Sequence, residues 1–66
     1  MNLFVNQRVT QAPEKCSLAE LLSQLKINNE GIAVAIGQEI IAKENWDSKL
    51  LKENDSIMII TATQGG

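Results

Sequence analysis

Two glycines close the sequence, Gly65 and Gly66, and the chemistry they offer is that of an unhindered carboxylate. Glycine has no Cβ, so an extended Gly-Gly threads a narrow channel and its carboxylate is approached freely. Such a carboxylate is a poor electrophile until it is activated. Adenylation by ATP converts it into an acyl-AMP mixed anhydride. A sulfur nucleophile attacking that anhydride leaves a thiocarboxylate, which is ionised at neutral pH and strongly nucleophilic. The covalent intermediate divides one difficult transfer into easier steps. At an average glycine share of about 7 %, two glycines fall together by chance in about 0.5 % of cases. The pair has two readings: a loose end of the kind most domains carry, or a terminus that enters another protein's active site.

The remaining residues offer little chemistry of their own. The chain has no histidine, which removes the commonest general base, the commonest metal ligand and every Ser-His or Cys-His dyad. The single cysteine, Cys16, has no disulfide partner and no neighbours for a zinc cluster. A lone cysteine is most often a small buried hydrophobe; its place just before a helix start predicts a slightly lowered pKa. The carboxylates of Glu39, Glu44, Asp47, Glu53 and Asp55 are spread through turns, without the pairing that acid–base catalysis needs. No phosphate loop of the Gly-x4-Gly-Lys-Ser/Thr form is present. Any ATP must therefore be bound by a separate protein, and the chain is expected to hold no cofactor or metal and to be no enzyme itself. Net charge is −2, and the six basic residues are scattered, which argues against a row of phosphates and so against nucleic acid.

The elements that would present such an end follow from patterning. Sixty-six residues, 44 % of them hydrophobic, make one thin-cored domain rather than a disordered chain. No apolar run is long enough to span a bilayer and no signal-peptide pattern opens the sequence, so a cytoplasmic protein is expected. Met1 to Asn6 alternates as a half-buried strand. Asn6-Gln7-Arg8 predicts a turn and residues 9–12 a returning strand, stopped by Pro13. Ser17-Leu18-Ala19-Glu20 fits a capping box, and Leu18, Leu21, Leu22 and Leu25 form one helical stripe, ended at Asn28–Gly31. Ile32–Ile36 and Glu39–Ile41 predict two strands around Gly37-Gln38, and Lys43–Leu51 an irregular stretch or one loose turn around Trp46. After the Asn54-Asp55 turn, Ser56–Thr61 predicts the last strand. Residues 62–66 are expected to be a flexible tail.

One helix covers one face of one sheet, with the first and last strands side by side and parallel. Alternation turns Leu3, Val5, Ile57 and Ile59 toward the helix, and Phe4, Met58 and Ile60 toward the other face. Apolar residues left uncovered there mark a protein interface, unless loop residues such as Trp46 fold over them.

The Met-x-Leu-Phe-Val-Asn start, the Ser-Leu-x-Glu-Leu-Leu helix entry, the Val-Ala-Ile-x-x-Glu-Ile-Ile segment, Trp46, Asp55, the Ile-x-Ile strand and the Gly-Gly end together resemble the ThiS family. These are the sulfur carriers of bacterial thiamine thiazole biosynthesis. The resemblance runs over essentially the whole chain. It implies an α+β, ubiquitin-like β-grasp fold, a mixed sheet of four to five strands with one helix on one face, in a single domain over residues 1–66. It also implies that Gly66 is adenylated by a ThiF-type enzyme and converted to a thiocarboxylate. The sulfur would originate from a cysteine desulfurase and pass to thiazole synthase, ThiG. Gln64 and Gly65 would thread into the partner, and Phe4, Met58 and Ile60 would form the docking patch. Three positions depart from the family's habit: Gly37 for Asn, Ala42 for Pro and Asn54 for Gly. The small subunit of molybdopterin synthase shares the fold and the chemistry but is usually longer. A ubiquitin-like modifier would carry the same Gly-Gly end, and so could a plain interaction domain.

Overall fold

Alternating apolar residues at the start of the chain form β1 (Asn2–Val5), which pairs antiparallel with β2 (Arg8–Gln11). The two-residue turn between them, Asn6-Gln7, has φ of 50° and 71°, the mirror-image turn whose twist matches that of the strands. A turn this short sets Arg8 opposite Val5, so β2 begins one residue earlier than residues 9–12. The structure, a computed structural model, describes residues 1–61; the expected tail, 62–66, lies outside them.

The helix, α1 (Leu18–Gln24), starts as the sequence predicts. The Ser17 hydroxyl accepts from the Glu20 N–H at 3.1 Å, and the Ser17 N–H donates to the Glu20 carboxylate at 2.8 Å. Donors left without partners at the helix start are thereby satisfied reciprocally. Leu18, Leu21 and Leu22 are fully buried against the sheet. The helix stops earlier than expected. Lys26 adopts φ 57°, its N–H bonds Ser23 O, and the Ile27 N–H bonds Leu22 O, both at 3.0 Å. This is a Schellman ending in which lysine takes the place usually given to glycine.

β3 (Ile32–Ile36) and β4 (Glu39–Ile41) form a second hairpin around Gly37, whose φ is 63°. A connection with one 3-10 turn (Lys43–Asn45) leads to β5 (Ser56–Thr61). The five strands form one sheet in the order β2-β1-β5-β3-β4, with β5 antiparallel to β3 and parallel to β1. Only a crossover can join parallel neighbours, and α1 lies within the long segment that supplies it. This is the β-grasp arrangement.

The core gathers Leu3, Val34, Ile41 and Ile57 from the sheet, the α1 leucines, and Trp46 and Leu51 from the connection. The Trp46 indole N–H donates to Ile41 O at 3.0 Å, satisfying the polar atom of a side chain that is otherwise buried apolar surface. The connection is tied to the helix start through Leu18 N–H to Lys49 O (2.8 Å) and Leu51 N–H to Cys16 O (2.9 Å).

Candidate functional site

The sheet face opposite α1 carries a continuous apolar band. Phe4, Met58 and Ile60 are 36 %, 42 % and 51 % exposed, as strand alternation requires once Leu3, Ile57 and Ile59 point to the helix. Register extends the band to all five strands. Val9 on β2 stands opposite Phe4, Ala35 on β3 opposite both Met58 and Ile40, and Ala33 opposite Ile60. Val9 and Ile40 are 65 % and 74 % exposed. Four inter-strand spacings make the band about 19 Å wide. Trp46 is buried in the core, packed with the α1 side of the sheet, so it does not fold over the band.

Patterning alone names Phe4, Met58 and Ile60 but misses Val9 and Ile40. An apolar residue on a short edge strand has no signature of its own. The two-residue turn is the signal that could have revealed Val9, because it forces the residue opposite Phe4 onto the same face.

Cys16 departs from expectation. It is buried, 4 % exposed, and its thiol pKa is raised, not lowered: burial is the larger cause, and the nearby Glu20 carboxylate adds to it. Burial in a medium of low polarity disfavours the thiolate more than a helix start favours it. The thiol donates weakly to Ser17 O at 3.3 Å, and the shallow depression beside it is lined by Pro13, Glu14, Lys15, Glu20 and Gln24. Among the described residues no group of three His, Cys, Asp or Glu side chains is placed to hold a metal ion, and no helix is long and apolar enough to cross a membrane.

The other half of the candidate site is the strand that leads to the glycines. β5 is central, bonded to β1 on one side and β3 on the other, and β3 follows it to Thr61. On the β1 side regular pairing stops at Val5 opposite Ile57. Beyond it the Asn6 side chain takes over, its Oδ1 accepting from the Ile59 N–H at 2.8 Å and its Nδ2 donating to Ile59 O at 3.4 Å. Gln64, Gly65 and Gly66 lie outside the described residues.

Residues 2–66 match the ThiS family. The chain belongs to that family. It is 30 % identical over 66 residues to the sulfur carrier protein ThiS of Escherichia coli (strain K12), with both chains covered completely. The crystal structure of the thiamine biosynthesis protein ThiS from Geobacter metallireducens superposes with a TM-score of 0.88 at 30 % identity, again over all of both chains. A solution structure of a thiamine biosynthesis protein from the same organism gives 0.79 at 30 % identity, covering this chain fully and 88 % of that one. Gly37 and Asn54 both sit at positive φ, and Ala42 has φ −63° and ψ 144°, values proline also adopts.

Proposed function

We propose that the working group of this ThiS-family sulfur carrier of thiamine biosynthesis is the carboxylate of Gly66. One of its oxygens attacks the α-phosphorus of ATP held by a ThiF-type enzyme, and pyrophosphate leaves. A persulfide carrying sulfur drawn from a cysteine desulfurase then displaces AMP from the acyl carbon, and a thiol of the loading system cleaves the S–S bond of the acyl disulfide so formed, leaving as part of a disulfide. The resulting thiocarboxylate passes its sulfur to thiazole synthase, ThiG. Gln64 and Gly65 thread the end into each partner, and the band around Phe4, Met58 and Ile60 docks the folded body. The chain is thus a co-substrate and not a catalyst. It binds no ATP or other cofactor itself, and it works in the cytoplasm beside its partners.

The observation that supports this reading best is that the family match runs through residue 66 and so takes in the Gly-Gly pair. The fold supports it too, because β5, the central strand, is the element from which residues 62–66 continue. The test is intact mass after incubation with ATP, a ThiF-type enzyme and a sulfide source. One oxygen-for-sulfur exchange is the expected result. Removing Gly66 should abolish that exchange and leave the melting temperature unchanged. Attachment to a lysine of another protein would point instead to a modifier, and an unchanged mass would end the proposal. Loss of molybdopterin rather than thiazole synthesis in a deletion strain would reassign the acceptor.

A further inference from the structure

We propose that Asn6 is a positioning residue for sulfur loading, acting by clamping the end of β5; this rests on the reading that Gly66 is the loaded group. β1 and β5 run parallel, and their ladder ends where the chain turns away at Asn6-Gln7. The Asn6 N–H makes the last backbone bond of that ladder, to Ile57 O at 2.8 Å. Two residues further along β5, the N–H and C=O of Ile59 point to the same side, as alternate residues of a strand must. No backbone of β1 remains there to meet them. The primary amide of Asn6 presents one carbonyl and one N–H in a plane, the same groups as a peptide unit, and both engage Ile59. The side chain therefore adds one residue's worth of strand to β1 at the point where β1 has left the sheet.

The clamp lies where its consequence for the carboxylate is largest. Ile59 stands seven positions before Gly66, close to the end of β5. Without the clamp, Ile59–Thr61 is held to the sheet only through β3. A strand bonded on one side opens locally more often than one bonded on both, and the direction fixed at Thr61, the last described residue, varies with it. Capture of the end by a separate enzyme would then require that freedom to be lost on each encounter. Asn6 touches no reacting atom; it narrows the directions from which the end departs.

The side chain can be separated from the turn. Asn6→Gly keeps the positive φ that the turn needs, and relieves it of any Cβ cost, while deleting the amide. Asn6→Asp keeps an acceptor for the Ile59 N–H but has no donor for Ile59 O. In Asn6→Gly, which removes both hydrogen bonds to Ile59, amide exchange at Ile59 should quicken by at least about tenfold, the effect of losing the bond its own N–H makes, with core amides such as that of Leu21 unchanged. Turnover in thiocarboxylate formation by the ThiF-type enzyme should fall several-fold at unchanged KM, because the docking band is intact. Asn6→Asp should fall between Asn6→Gly and the unaltered chain in both measurements. Unchanged exchange at Ile59 would overturn the clamp whatever happens at Gly66. Faster exchange with unaltered loading kinetics would overturn its role in positioning. An unaltered chain that is never loaded would overturn the Gly66 reading, and the proposal with it, while the exchange result still reported on the clamp alone.

Discussion

Burial pushes the Cys16 thiol above the ordinary thiol range, with the Glu20 carboxylate as the smaller cause. The folded chain then keeps a proton that the unfolded chain gives up once pH passes the usual thiol value of about 8.5. Stability linked to this group is complete below that pH and declines as pH rises toward the raised value. Relative to Cys16→Ala, the unaltered protein should lose stability only above about pH 8.5; denaturant titrations on both sides of that pH check it. A constant difference would show that the thiol is not shielded. Sequence position points to the opposite shift because the helix start is visible in the sequence, whereas the connection that closes over Cys16 is anchored by Leu51, 35 positions away. Lys26 shows the same gap. A left-handed lysine gives no warning, so patterning places the helix end at the Asn28–Gly31 cluster instead.

At the level of elements, local chemistry was legible wherever two short-range signals agreed. The Ser17–Glu20 capping box and the leucine stripe together locate α1, and alternation with turn residues locates both hairpins. The parallel pairing of β1 and β5 follows from having one helix and two hairpins to accommodate. The connection from Lys43 to Asp55 was legible only in its loose turn near Trp46 and its Asn54-Asp55 turn; the path between them is set by tertiary bonds to α1 and to β1 rather than by its own pattern. One position at its start is open to improvement. Ala42 has φ −63°, follows the extended Ile41, and its N–H makes no hydrogen bond to backbone or side chain among the described residues. Ala42→Pro meets every backbone demand of proline there and should raise stability by about 0.4–1 kcal/mol through the unfolded state. Thermal melts measure it, and a lower melting temperature would show that the pyrrolidine ring clashes with the end of β4.

Across the whole molecule, the faces of the sheet differ in what covers them. One is sealed by α1 and the connection; the other holds an apolar band that spans every strand. If that band docks partner enzymes, its rim should matter as well as its centre. Val9→Lys and Ile40→Lys should change stability by no more than about 0.5 kcal/mol, since both side chains are already in water. Each should nonetheless raise KM for the ThiF-type enzyme, and Leu50→Lys, which alters an exposed leucine off the sheet, should not. Equal effects from all three would mean that added charge, not the band, is responsible. Trp46 is the only tryptophan, and the chain has no tyrosine, so its near-ultraviolet emission arises from a single indole sealed in the core against Ile41. Complex formation on the far side of the sheet is therefore optically silent in this fluorophore, while melting is not. A titration that shifts the indole signal would be reporting a disturbed interior rather than a bound partner.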